Sequence, residues 1–316
     1  MKAAVLTNAY EVELVDRDLG PLGPAQARLR VLECGLCTSE IDLWTGKAPD
    51  KLPAAIGHEV AGVIEAVGDE VRAVKPGDRV AAWTEGGGFA EELIVEERFC
   101  VPVADSAPYP SVAEPLACVV NSVELAGPRL ADDVVIIGAG YMGNLVQLVT
   151  ALKGPRSIIV ADVRADALAR AKELGATHVL DSSQESLAEA VSEITDGRGA
   201  DVTFEVTGVN PGLDLAGDVT RMSGTLCIVG YHQGGRRAIR LSRWNWMAFH
   251  LVNAHFRDID TIMSGMRAGM RLVNAGILDA SALVTDTYPL ARISEAFKTA
   301  VEKRNGFVKA VIDPTA

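Results

Sequence analysis

The chain has 316 residues, of which 48% are hydrophobic and 23% are charged, and its formal net charge at pH 7 is −12. This acidic balance excludes general binding to nucleic acid or to anionic membranes, because both partners require clustered positive charge. The sequence contains no apolar run of transmembrane length, and its apolar start turns polar at Thr7, too early for a secretory signal. Five cysteines without such a signal argue against a disulfide framework. We therefore expect a soluble, cytoplasmic protein of two domains.

The first part of the chain, up to about residue 105, has the short alternating pattern that is typical of β-strands, as in residues 27–32. Glycine and proline interrupt this pattern at short intervals. These features predict an all-β, barrel-like domain.

From about Val112 the pattern changes to continuous apolar runs separated by segments of helical length. The predicted strands are 134–137, 157–160, 202–206 and 226–229, and the predicted helices are 145–152, 166–174 and 185–194. Alternating strands and helices of this kind indicate a doubly wound parallel sheet.

The tail of the chain, from about Leu283, returns to the first pattern, with a predicted helix at 293–301 and a closing strand at 308–312. We expect it to pack against the N-terminal domain. The predicted domains are therefore 1–122 with 283–316, and 123–282.

A glycine-rich turn follows the first strand of the predicted parallel sheet. Gly138 permits the tight turn, Gly140 lets a pyrophosphate approach the backbone, and Gly143 lets the next helix pack closely on the strand. The N–H groups at the helix start, at Tyr141 and Met142, face the phosphates. A glycine turn without a ligand is the alternative, but the strand, turn and helix together favour dinucleotide binding.

Asp162 ends the next strand, where an acid can accept hydrogen bonds from the adenosine ribose and repel a 2′-phosphate. NAD is therefore favoured over NADP, although Arg164 could bind that phosphate. Thr207 and the Gly230–Tyr231 pair follow two further strands and are candidates to line the nicotinamide side, with simple turn geometry as the alternative.

Two candidate zinc ligands, Cys37 and His58, lie in the β-domain. Thiolate and neutral imidazole are favoured zinc ligands, and a catalytic site has three protein ligands and an open position. Cys34 and Cys37 could instead form a redox pair, but no thioredoxin-like pattern surrounds them. A single His after Gly could also be structural.

Four segments in this order resemble the zinc-dependent medium-chain dehydrogenase/reductase superfamily. They are Cys34-Gly-Leu-Cys37-Thr-Ser-Glu, Gly57-His-Glu-Val-Ala-Gly62, Val74-Lys-Pro-Gly-Asp-Arg-Val80 and the Gly138 loop. The segment Ala113-Glu-Pro-Leu-Ala117 further resembles the sorbitol (polyol) dehydrogenase branch. The resemblance implies an α/β protein with a GroES-like β-barrel catalytic domain and a Rossmann domain, assembled as a homo-dimer or homo-tetramer.

The resemblance also implies a catalytic zinc held by Cys37, His58 and Glu114. The thiolate and the carboxylate of this set would cancel the charge of Zn²⁺, whereas permanent binding of Glu59 would make the shell anionic. We therefore expect Glu59 beside the metal but outside its ligand set, or as an exchangeable ligand.

Three features depart from the family pattern. The closely spaced cysteines of a structural zinc lobe are absent from 83–90, and Cys100 stands alone, which implies one zinc per chain. Glu40 replaces the usual Asp, so its hydrogen bond to His58 needs a different reach. Asp42 stands where the family often has a histidine of the proton relay, so the family pattern does not define the proton carrier that follows Ser39.

These residues suggest that zinc acts as a Lewis acid on a secondary alcohol while Ser39 accepts the hydroxyl proton and passes it outward, with Asp42 as a further carrier. Hydride would then move between a polyol, sugar or cyclitol carbon and NAD. The alternatives are an NADPH-dependent keto-sugar reductase, a zinc-free quinone or enone reductase, and a non-catalytic NAD-binding protein. The basic stretch Arg236–Arg243 could bind an anionic substrate group or another subunit, or be a solvated loop.

Overall fold

The computed structural model describes residues 1–233 and 235–316. Within these ranges the chain divides into two compact units, residues 1–117 with 266–316 and residues 118–265. The boundaries expected from the sequence lie at 122 and 283, whereas the second boundary in the structure falls inside a helix at 259–274.

The strands are numbered β1 to β16 in chain order. They are Lys2–Asn8, Glu11–Asp16, Gln26–Gly35, Ala54–Ala55, Glu59–Val67, Arg79–Trp83, Glu92–Glu96, Cys100–Pro102, Asp133–Ile137, Ser157–Asp162, His178–Asp181, Ala200–Glu205, Thr220–Ile228, His250–Asn253, Asp286–Pro289 and Ala310–Asp313.

The α-helices are numbered α1 to α9. They are Thr38–Trp44, Ala113–Ala126, Tyr141–Ala151, Ala165–Glu173, Leu187–Ile194, Asn210–Val219, Leu241–Trp246, Ile259–Asn274 and Ile293–Glu302. Across the described ranges, none of these helices is both long and apolar enough to cross a membrane.

The first unit is built on a mainly antiparallel sheet in the order β15-β16-β3-β5-β6-β8, with β7 also paired to β3. Its core includes Leu29 and Ile64 from the sheet and Phe297 from α9. In the β3–β5 pairing Gly35 lies opposite Glu59, so the chain entering α1 runs beside the start of β5. This GroES-like domain confirms the fold expected for the first part of the chain and for its tail.

The second unit has a parallel sheet in the order β11-β10-β9-β12-β13-β14. The central strand β9 is buried along its whole length, as its continuous apolar run predicts. The strand order reverses beside β9, and ligands of doubly wound sheets bind at the carboxyl ends of the strands at such a point. The predicted Rossmann domain is confirmed, and the structure adds β11 and β14, which the sequence analysis does not assign.

The amino end of β9 carries an ion cluster. The buried Asp133 carboxylate pairs with Arg156 at 2.7 Å and with Arg198, and it accepts a hydrogen bond from the Ser157 hydroxyl. Burial by itself raises the pKa of Asp133, but the hydrogen bonds from Arg156 and Ser157 and the two guanidinium charges outweigh it. The pKa therefore lies below its usual value.

We predict that Asp133→Asn lowers the free energy of unfolding by about 3 kcal/mol at pH 7, because two guanidinium groups lose their buried partner. Since the folded-state pKa is lowered, the contribution of Asp133 is complete above its unfolded-state pKa of about 4 and is lost as the pH falls through the lowered value. Urea unfolding between pH 7 and 3 measures both effects.

The matched control for this prediction is Asp196→Asn, which removes an exposed carboxylate that lies 3.4 Å from Arg156. It should cost less than about 1 kcal/mol. Equal losses in the two variants would contradict a stabilising role for the buried pairing.

Candidate metal and cofactor sites

A possible metal-binding group lies in the first unit. The sulfur of Cys37, a ring nitrogen of His58 and a carboxylate oxygen of Glu59 lie within 4.8 Å of one another. Cys37 precedes α1, and His58 and Glu59 lie at the start of β5. Gly57, before the imidazole, has a φ of +96°, and a Cβ there would lie 2.4 Å from the Phe89 nitrogen, so a glycine is required.

The carboxylate of Glu40 holds this group together. One oxygen accepts hydrogen bonds from the Gly57 N–H at 2.7 Å and from Nδ1 of His58 at 3.0 Å, and the other accepts the Cys37 N–H at 2.9 Å. Because Nδ1 is held by Glu40, Nε2 is the ring nitrogen of His58 that remains to bind a metal. The side chain of Glu40, which is longer than the usual Asp, therefore reaches Nδ1 of His58 and replaces the hydrogen bond expected from that Asp.

Glu59 is held by a lysine from the end of the chain. Nζ of the buried Lys309 lies 2.8 Å from Oε1 and 2.6 Å from Oε2 of Glu59. The site is also tight on the β3 side, since a Cβ on Gly35 would lie 2.0 Å from Oε2. The Lys309 ammonium group compensates the charge of Glu59. The balance of ligand charges expected from the sequence does not include this lysine.

Glu114 is the second residue of α2 and is half-buried. It lies outside the group formed by Cys37, His58 and Glu59 within the described residues. Burial raises its pKa to about 7, with the charges of Glu59 and Glu40 acting in the same direction and those of His58 and Lys309 opposing them. Glu114 is therefore close enough to His58 and Glu59 to interact with their charges.

The charge and chemistry of these residues fit a divalent cation. Burial lowers the pKa of His58, but the Glu40 charge and hydrogen bonds with Cys37 and Glu40 raise it well above its usual value. Three carboxyl groups and a thiol surround this imidazole and one lysine. Thiolate, imidazole and carboxylate are zinc ligands, and a cation here would offset the excess of negative charge.

Cys34, the other cysteine of the C-x-x-C pair, faces the barrel core and is fully buried. Burial raises its pKa well above the usual value, which makes it a poor nucleophile.

The two residues of the expected proton relay lie on α1. Ser39 is half-buried on the first turn of this helix, and the Asp42 carboxylate lies 2.5 Å from Nζ of Lys47. The structure thus gives Asp42 a basic partner of its own.

The glycine turn in the second unit has the geometry of a phosphate-binding loop. Gly138 has a φ of +105°, and a Cβ on Gly143 would lie 1.8 Å from the Gly138 oxygen. A Cβ on Gly140 would meet no atom within 4 Å, so open space lies above the N-terminus of α3. Tyr141 and Met142 begin that helix, and these features fit a pyrophosphate.

Asp162 and Arg164 meet at the end of β10. The Asp162 carboxylate accepts the Ala139 N–H at 2.7 Å, which ties it to the glycine turn. It also pairs with the Arg164 guanidinium at 3.2 Å. Asp162, the expected acceptor for the ribose, and Arg164, which could bind a 2′-phosphate, are therefore in direct contact.

Thr207 and Gly208 follow β12, and Gly230 and Tyr231 follow β13, at the same edge of the sheet as the glycine turn. Tyr231 is 57% exposed, and its ring lies 5.4 Å from that of His255. The structure thus places every predicted cofactor residue at the carboxyl ends of β9, β10, β12 and β13.

Two of the four arginines in the basic stretch Arg236–Arg243 pair with an acid of α6. Arg240 pairs with Asp218 at 2.6 Å, and Arg243 lies 3.4 Å from the same carboxylate. These pairs favour a structural role for this end of the stretch.

Sequence reasoning missed two buried charged residues, Lys309 and Glu205. Lys309 is the only charged residue of the predicted strand 308–312, and Glu205 is the only one of the predicted strand 202–206. A buried apolar strand is a rare position for a charged side chain without a partner. That isolation was the available signal, but the sequence did not identify the partners.

Two family models match the chain and together cover more than half of it. An alcohol dehydrogenase GroES-like domain matches residues 23–105, and a zinc-binding dehydrogenase domain matches residues 142–275. Sorbitol dehydrogenase of Bacillus subtilis (strain 168) is 27% identical, and the match covers 99% of this chain and 97% of that protein.

Two solved structures have the same fold over 99% of both chains. The 2R,3R-butanediol dehydrogenase from Bacillus subtilis gives a TM-score of 0.87 at 25% identity. A Sinorhizobium meliloti 1021 protein solved with bound NADP gives 0.89 at 23% identity. Since both domain models match and the relative covers the chain almost end to end, the protein belongs to the zinc-dependent medium-chain dehydrogenase/reductase family.

We predict that Glu40→Ala lowers zinc affinity by about 10- to 100-fold, because His58 and the Cys37 backbone lose their shared acceptor. Glu40→Gln should lose less, since one acceptor oxygen remains. Competition against a chromogenic chelator measures both affinities.

Glu65→Gln is the control for the Glu40 variants, because Glu65 forms an exposed pair with Arg30 at 3.1 Å on the same sheet. It should bind zinc like the unmodified protein. Unchanged zinc affinity in Glu40→Ala would show that Glu40 does not orient the ligands.

Proposed function

We propose that the protein is a zinc-dependent oxidoreductase that transfers a hydride between a secondary alcohol of polyol, sugar or cyclitol type and NAD. The observation that carries this proposal is the group of Cys37, His58 and Glu59, whose potential ligand atoms lie within 4.8 Å of one another. The named activities of the sorbitol and butanediol dehydrogenases support the substrate class.

The proposed zinc ligands are Cys37, His58 and Glu114. Glu59 is the nearer carboxylate, but Lys309 contacts both of its oxygens and already balances its charge. A raised pKa is expected for a carboxyl group that lacks such a partner, and Glu114 has this property. Glu59 would then remain beside the metal, outside the ligand set or in exchange with it.

Bound zinc would supply Lewis-acid polarisation of the substrate oxygen. Among the chain's own residues, Glu40 fixes the tautomer and orientation of His58 through Nδ1. Ser39 is proposed to accept the hydroxyl proton and to pass it toward Asp42, whose carboxylate is held by Lys47.

Asp162 supports NAD as the cofactor, because its carboxylate would repel a 2′-phosphate. A second candidate, an NADPH-dependent reductase of keto-sugars or ketones, is favoured by one observation. Arg164 lies against this carboxylate and would be freed to bind a 2′-phosphate if the pair opened. The similar fold solved with NADP is consistent with this candidate.

The decisive experiment is a panel of polyols, sugars and cyclitols with NAD, followed by nicotinamide absorbance, together with zinc analysis. We predict that Cys37→Ser and Glu114→Gln lose both zinc and turnover, because each removes a ligand. Glu59→Gln should retain zinc, since it is not a permanent ligand.

Cys34→Ala is the matched control, because it changes the other cysteine of the pair and should retain zinc and turnover. Turnover without metal in Cys37→Ser would reject the mechanism. Zinc loss in Glu59→Gln with retention in Glu114→Gln would exchange the roles of the two carboxylates.

We predict that Arg164→Ala lowers affinity for NADPH by about tenfold and changes affinity for NADH little, because one charge-assisted contact to the 2′-phosphate is lost. Titration of both cofactors by nucleotide fluorescence measures the ratio. An equal change for both would exclude Arg164 from cofactor discrimination.

A further inference from the structure

A buried carboxylate joins two of the loops at the cofactor edge of the sheet. Glu205 ends β12 and is fully buried. Its Oε1 accepts the N–H groups of Thr207 at 2.7 Å and Gly208 at 3.0 Å, together with the Thr207 hydroxyl. Its Oε2 accepts Nε2–H of His232 at 2.8 Å. One side chain thus connects residues 206–208, after β12, with residues 229–232, after β13; we call them the paired loops.

The paired loops approach each other too closely for side chains. A Cβ on Gly230 would lie 2.3 Å from the Gly208 nitrogen and 2.7 Å from Oε2 of Glu205. A Cβ on Gly212 would lie 2.7 Å from Oε1. Gly208 itself has a φ of +71°. The glycines therefore enclose the carboxylate, which explains their positions better than turn geometry alone.

His232 is held from both sides. Nε of Arg237 donates to Nδ1 of His232 at 3.3 Å, so the ring is the neutral tautomer that donates through Nε2. Arg237 is in turn fixed by the Gln233 carbonyl. A ring nitrogen of His255, after β14, lies 3.2 Å from the Gly230 oxygen. Through His255, the residues after β14 are therefore also connected to the paired loops.

The strand order indicates which part of a dinucleotide lies here. Asp162, the ribose acceptor, ends β10, and the glycine turn for the pyrophosphate follows β9. The sheet continues from β10 through β9 to β12 and β13. A dinucleotide that places its adenosine over β10 and its pyrophosphate over β9 therefore extends its other half over the paired loops.

We propose that Glu205 and His232 are positioning residues for the nicotinamide half of the cofactor. They act by fixing the backbone of the paired loops, and they leave the adenosine half unaffected. This inference rests on the proposed function, since it requires that the second unit binds a nicotinamide dinucleotide.

The test compares NADH with ADP-ribose, which has the same adenosine and pyrophosphate but no nicotinamide, by calorimetric titration of the full chain. Glu205→Gln replaces an acceptor oxygen by an amide that cannot accept from the loops. We expect about tenfold weaker binding of NADH and less than twofold change for ADP-ribose. His232→Phe should behave in the same way, whereas His232→Gln, which can still donate to Glu205, should retain most of the NADH affinity.

Asp201→Asn is the matched control. Asp201 lies at the opposite end of β12, where it pairs with Arg221 at 2.7 Å, and the variant should bind both nucleotides normally. Equal losses of NADH and ADP-ribose in Glu205→Gln, or no loss in either, would overturn the positioning role. An unmodified protein that binds neither nucleotide would overturn the proposed function and this inference with it.

Discussion

A cluster of acidic groups around His58 is the constraint on which the proposed chemistry depends. Glu40, Glu59 and Glu114 all influence this imidazole or one another, while Lys309 balances Glu59. A bound cation would add positive charge to this cluster and so offset the repulsion among its acidic groups. Burial is the main cause of the raised pKa of Glu114, and a bound cation would lower that pKa by favouring the carboxylate form.

The buried acid of the second unit is in a different environment from the acids around His58. Glu205 is as deeply buried as any residue of the metal group, but hydrogen bonds from Thr207, Gly208 and His232 satisfy both of its oxygens. A fully satisfied carboxylate has no need of a ligand and instead fixes the loops that hold it. Hydrogen bonding therefore distinguishes a binding role from a positioning role, although residues of both kinds are acids removed from solvent.

The short segment at 83–90 has a structural role of its own. Gly88 donates to the Gly57 carbonyl at 2.8 Å, and Phe89 donates to the Ile56 carbonyl at 3.1 Å. A Cβ on Gly88 would lie 2.3 Å from a Val60 methyl group, so the contact requires a glycine. Where the family often carries a structural zinc lobe, this chain packs its backbone directly beside the residue that precedes His58.

The sequence by itself determined the two fold types, the glycine turn and the candidates Cys37 and His58, because these depend on local periodicity and on spacing along the chain. Tertiary structure alone decided which carboxylates meet the imidazole. Lys309 reaches Glu59 from the opposite end of the chain, and Glu205 meets His232 across two strands. Such contacts follow from strand pairing and packing, which bring together residues that no local pattern relates.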